Sequence, residues 1–173
     1  MSTSQTSPAE WAAAARDRIL GQARQEHWPQ AVDVGRAFGD TYDAAARARA
    51  HRMRDAGELL GLWSPDEQTF YYPPFQFGRD GRPHPRLTEF LAALGGLPTY
   101  SPSEDPSGWG RMDWLVQRRR SLGELGVAEA RSIDGIAPEE DRLAQGARAA
   151  VDVFLLNPDA VIAMARADSV EAQ

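Results

Sequence analysis

The run Phe70-Tyr71-Tyr72-Pro73-Pro74-Phe75-Gln76-Phe77-Gly78-Arg79-Asp80-Gly81-Arg82-Pro83-His84-Pro85 constrains this chain more than any other. Pro73 and Pro74 offer no amide N–H, which bars them from a central strand and suits an edge or a polyproline-like entry. Phe75 and Phe77 alternate around Gln76, a spacing that predicts an extended piece with both rings on one side. Gly78-Arg79-Asp80-Gly81 reads as a turn. Such a run suits a packing joint between two helical layers.

Helical signals dominate on either side. Ser7-Pro8-Ala9-Glu10 is a start signal, with Ser7 as cap, Pro8 at the first position and Glu10 closing a capping box. Residues 1–6 are expected to fray. Trp11, Ala15, Ile19 and Ala23 then recur every fourth residue as one apolar stripe, and the helix must end near Trp28, before Pro29. A short helix is predicted over Val32–Phe38, with Gly39 as its C-terminal cap. Asp40 or Thr41 can cap the next helix, which runs through Ala44–Ala56 and stops at Gly57, with Tyr42, Ala46, Met53 and Ala56 inward. Leu59–Trp63 and Thr69–Tyr72 read as two short strands of a hairpin. Leu87, Phe90, Leu91 and Leu94 show helical spacing, and residues 97–108 read as a long loop. Further helices are expected from Trp109 to about Arg120, around 127–132, and over Pro138–Phe154. Asn157-Pro158-Asp159 caps a last short one bearing Val161, Ile162 and Ala165. The fold class is therefore mainly α, with a helix-turn-helix N-terminal part, a small β-hairpin and a small helical domain after it. The expected division is a helix over 1–30, a helix-turn-helix-like part with the hairpin over 31–72, and a helical domain over 73–173.

Composition narrows the function. The chain has 173 residues, no cysteine and no run apolar enough for a membrane span or a signal peptide, so the expectation is a cytoplasmic protein without disulfides or membrane contact. Every basic side chain is arginine. Residues 1–86 hold 11 Arg and 11 Asp/Glu, while residues 87–173 hold 8 and 14, so the whole net charge of −6 sits in the second half. A neutral half with a basic helix can meet DNA; the acidic half would be repelled by it.

Arg47, Arg49, His51, Arg52 and Arg54 are the candidate DNA-facing residues. They lie on a helix preceded by a short helix and a glycine turn and followed by a hairpin, the order of a helix-turn-helix with a small wing. Arginines there can reach phosphates or guanine edges. The same four arginines do not form one stripe, so they also suit a solvated helix face. Arg118-Arg119-Arg120 falls at an expected helix end, where cations complement the dipole. Trp109 and Trp114, with Met112 and Leu115, suit either core or an interface. Enzyme chemistry has little to stand on. His27, His51 and His84 lie in separate segments without metal-ligand spacing, and no phosphate-binding, dinucleotide or nucleophile-elbow motif is present. The expectation is no enzyme, no metal and no cofactor.

Across residues 32–167 the chain resembles bacterial antitoxins of the Xre/MbcA/ParS toxin-binding type. The most specific piece is Tyr72-Pro73-Pro74-Phe75-Gln76-Phe77. Asp55–Trp63 is similar to the family's turn out of the recognition helix, and Gly108–Glu124 looks like its tryptophan-bearing helix. Val151–Ala167 looks like its C-terminal pattern, in which a proline-aspartate turn starts a final helix. The resemblance implies an antitoxin of a type II toxin-antitoxin system. Such a protein neutralises a toxin enzyme, usually of the RES-domain class and often NAD-consuming, and represses its own operon by binding operator DNA. It implies toxin contact by Trp109, Trp114, Leu115, Phe154, Asn157, Asp159, Val161, Ile162 and Arg166, and allows a homo-oligomer. The alternatives are a DNA-binding regulator without a toxin partner and a helical interaction adaptor that never touches DNA.

Overall fold

A computed structural model describes residues 7–119 and 148–172. Residues 1–6, Arg120, the expected helix at 127–132 and the 138–147 part of the expected Pro138–Phe154 helix lie outside them. Over the described residues the chain is mainly helical, with one small hairpin and one further short pair of strands.

Helix α1 (Pro8–Gln25) starts as its sequence demands: Ser7 Oγ accepts from the Glu10 amide at 3.3 Å, and the Ser7 amide donates to Glu10 Oε2 at 2.6 Å. Its apolar stripe meets the core only in the second half, through Ile19, Leu20 and Ala23, while Trp11 stays 65% exposed. Helix α2 (Ala31–Ala37) packs on α3 (Asp43–Asp55) at very close range. A Cβ on Gly35 would stand 2.2 Å from Ala46 Cα, so only glycine fits there. The connecting turn uses Gly39 at φ +93. The cap of α3 differs from expectation. Tyr42 occupies the cap position with extended backbone and no side-chain cap bond, and its ring is 78% exposed rather than inward. Neither Asp40 nor Thr41 is the cap: the helix starts at Asp43, after both, and Asp40 pairs with Arg49 instead. Ala46 and Ala50 face inward, Met53 packs on the core, and Ala56 ends the helix exposed.

The hairpin is shorter than expected: β1 (Leu62–Ser64) pairs antiparallel with β2 (Thr69–Tyr71), Trp63 opposite Phe70. The Pro-Phe-Gln-Phe joint is not extended. Pro73, at φ −55 and ψ 133, gives the expected polyproline-like entry, and Pro74, whose ring fixes φ, opens a 3₁₀ turn over Pro74–Gln76; Phe75 is buried and Phe77 half-buried. Gln76 is fully buried and bonds both backbone groups of Leu60. Gly78–Gly81 is the expected turn, with the Gly78 amide donating to Arg82 O at 2.8 Å.

Helix α4 (Leu87–Leu94) buries Leu87, Phe90, Leu91 and Leu94. Helix α5 (Trp109–Val116) ends sooner than expected; Gln117 is extended, and β3 (Arg118–Arg119) pairs with β4 (Arg148–Ala149). Arg118 and Arg119 are thus strand residues, not a helix end. Helix α6 (Ala150–Val153) follows β4 directly, so residues 148–149 are strand where helix was expected. Helix α7 (Pro158–Glu171) is longer than expected and lies along α4. Its cap is the expected one: Asn157 Oδ1 accepts from the Ala160 amide at 3.1 Å. One cluster of buried side chains runs from Leu20 to Ala165 through all three expected segments.

Candidate nucleic-acid interface and adjoining cleft

On an α-helix each residue advances 100°. Along α3, Ala46 and Ala50 fall on the buried side, and Ala44 and Ala48 fall at the centre of the exposed side. Arg47 flanks that face on one side and Arg52 on the other; between them the two alanines are followed by half-buried His51 and by Asp55, whose carboxylate is held by Arg54. Both are exposed. Arg47 makes no hydrogen bond or ion pair among the described residues, and Arg52 makes no hydrogen bond, with Asp40 as the nearby acid it senses. Small residues between two free cations let a helix approach a groove while the guanidinium groups reach the flanking phosphates.

The other three expected residues are engaged inward. Arg49 Nε and Nη2 donate to the two carboxylate oxygens of Asp40 at 2.6 and 3.2 Å, and its guanidinium lies 5.5 Å from the Phe38 ring centroid. These hydrogen bonds, and then the Arg49 charge, hold the Asp40 carboxyl below the usual range. Arg54 lies over the Phe70 ring at 3.9 Å and pairs with Asp55 at 2.7 Å. Arg54 Nη1 donates to His51 Nδ1 at 3.1 Å. Burial, then the Arg54 charge, lowers the His51 pKa. Arg49 and Arg54 therefore brace α3 against the turn before it and the hairpin after it. Arg82, to which the sequence alone assigns no role, approaches the same Phe38 ring at 6.0 Å and carries positive charge onto the Gly78–Gly81 turn. Its signal was the Arg-Asp-Gly-Arg order, which returns the chain beside α2.

A cleft of about 510 Å³ opens between α3, the start of α2 and the hairpin, lined by Arg47, His51, Trp63, Gln68, Thr69 and Phe70 among others. Sequence pattern gives Trp63 and Phe70 no role in a site, although their symmetric placement about the hairpin loop would set them opposite each other.

The expected toxin-contact residues divide in two. Trp109, Trp114, Leu115, Phe154, Val161 and Ile162 are all core residues, at most 5% exposed. Phe154 packs among rings from the joint and α4, with Phe90 at 5.0 Å, His84 at 5.4 Å and Phe75 at 5.9 Å between ring centroids. These side chains shape a surface rather than form one. Asn157, Asp159 and Arg166 lie outside the core. Asn157 caps α7, Asp159 accepts from Arg86 at 2.6 Å, and Arg166 donates to Glu89 at 2.8 Å. Beside them Leu155 and Leu156 are 48% and 42% exposed. Their signal was the two leucines ahead of the Asn-Pro cap, out of phase with the core stripe.

No family model, no curated protein and no solved structure matches this chain. Among the described residues no helix is long and apolar enough to cross a membrane.

Proposed function

We propose that this protein is an antitoxin that binds operator DNA through α3 and sequesters a toxin enzyme through its acidic C-terminal half. The observation that carries the DNA reading is the face of α3 with Ala44 and Ala48 between the exposed, free Arg47 and Arg52, on a helix braced by Arg49 and Arg54. Arg47 and Arg52 contact phosphates; His51, half-buried and bonded to Arg54, supports the helix. The toxin reading rests on the resemblance, on the net charge of the second half and on the surface where exposed Leu155 and Leu156 follow exposed Asp152. An acidic, partly apolar patch suits a basic partner pocket, which its field would also steer. The chain itself performs no catalysis in this reading.

The test is co-expression with the product of the neighbouring gene, followed by co-purification and a growth assay. A stable complex and rescued growth are expected, and Leu155→Asp with Leu156→Asp should abolish both in a folded protein. A folded protein that neither binds nor protects would refute the antitoxin reading. The second reading, a DNA-binding regulator without a toxin partner, draws support from the burial of Trp109, Trp114, Leu115, Phe154, Val161 and Ile162, which shrinks the surface available for capture.

A further inference from the structure

The cleft beside α3 has features that duplex binding does not require. Its aromatic wall is a stack: the Arg54 guanidinium lies on Phe70, and Phe70 packs against Trp63 at 4.9 Å between centroids, tilted 51°. Trp63 ends the stack, half-exposed and lining the cleft. Arg47, the one of the two free cations of α3 that faces this way, lines it too. Arg54 can only donate, so His51 Nδ1 is the acceptor and the ring carries its proton on Nε2, an N–H donor. The one acid in the lining, Glu67, is paired with the Arg24 guanidinium and bonded to two hydroxyls. Its carboxylate accepts from Arg24 at 3.0 Å, Tyr71 at 2.6 Å and Ser64 at 3.4 Å. Gln68, at the rim, holds φ at +49, a left-handed conformation that side chains of its kind rarely adopt. The volume, about 510 Å³, falls in the range of small-molecule sites, roughly 300–1,000 Å³.

We propose that this cleft binds a small planar aromatic anion, stacked on Trp63 and neutralised by Arg47. A guanidinium and an indole lining one cleft select a ligand that carries an anionic group and an aromatic plane together. His51, Gln68 and Thr69 supply the polar atoms that fix its edge. Nucleoside monophosphates and aromatic carboxylates share this chemistry. The inference goes beyond the DNA reading and is tested on the free protein, so either can fail alone.

The experiment is isothermal titration with 5′-AMP and with 2-naphthoate, and with adenosine and ribose 5-phosphate as the separated halves of AMP. Saturable one-to-one binding of at least one anionic aromatic is expected. AMP binding alone identifies a nucleotide site, naphthoate binding alone an aromatic-acid site, and both a general one. Each half of AMP should bind about tenfold more weakly than the whole. Arg47→Ala should weaken the anionic probe about tenfold without changing the melting temperature, because Arg47 has no partner to lose. Arg18→Ala, which removes an equal charge from the exposed side of α1, should leave binding unchanged. The proposal is overturned if neither anion binds at millimolar concentration. It is also overturned if ribose 5-phosphate binds as well as AMP, or if Arg47→Ala binds like the parent.

Discussion

The Gln76 side chain pairs with the backbone of Leu60 as a second strand would: its carboxamide oxygen accepts from the Leu60 amide at 2.9 Å and its nitrogen donates to the Leu60 carbonyl at 2.8 Å. All four atoms are buried, sixteen residues apart in sequence. The pair fastens the proline joint to the entry of β1 and so fixes the hairpin against α4. Gln76→Ala would orphan a buried donor and a buried acceptor, a loss of about 2–4 kcal/mol. Urea unfolding should show the midpoint falling with an unchanged slope. A variant as stable as the parent would mean that the pair is incidental.

Tyr72 is the converse case. Its ring is fully buried, and among the described residues its hydroxyl has no hydrogen-bond partner. Burial pushes its pKa up to about 12, so it stays neutral at any physiological pH. Tyr72→Phe removes the orphan at little cost in shape. Stability should be unchanged or rise by about 1 kcal/mol, independent of pH between about 6 and 9. A clear loss on denaturant titration would contradict the orphan.

These two residues mark what the sequence could and could not reveal. Prolines and capping residues act locally, so the starts of α1 and α7 followed from Ser7 and Asn157 directly, although α1 ends at Gln25, short of the expected Trp28. Side chains that reach across the fold did not. Nothing local says that Gln76 will find Leu60, or that Asp40 will pair with Arg49. At the joint, the alternation of Phe75 and Phe77 suggests an extended piece, but the 3₁₀ turn opened by Pro74 interrupts it. For the candidate interface, composition singles out α3. It could not separate the free Arg47 and Arg52 from Arg49 and Arg54, since that division depends on aromatic rings and acids brought in from elsewhere.

His51 should make the fold acid-sensitive. Its folded pKa lies below the ordinary 6.5, mainly through burial and then through Arg54. The unfolded chain therefore binds its proton first as pH falls. The contribution is intact above about pH 6.5 and is lost as pH drops toward the folded value. Protonation would also set two donors, Nδ1 and Arg54 Nη1, against each other. Melting curves from about pH 7.5 to 5 should show a decline that His51→Gln lacks. Asp40 and Glu67, both held below their usual values by hydrogen bonds, add losses of the same sign only at lower pH.

Arg49 is expected to act on the fold and not on DNA. Arg49→Ala releases Asp40 and the turn between α2 and α3. The melting temperature should fall, and the salt dependence of DNA binding should stay as in the parent. A lowered salt slope would place Arg49 on the phosphates instead.

The central claim is that α3 meets DNA through Arg47 and Arg52. The most direct measurement is fluorescence anisotropy of the protein on a duplex from upstream of its own gene, titrated at several salt concentrations. Binding should weaken as salt rises, and the Arg47→Ala, Arg52→Ala double variant should lower the logarithmic slope by about two, one for each phosphate that is no longer neutralised. A double variant that kept the parent's affinity and slope, or a parent that bound no duplex at low salt, would contradict the account.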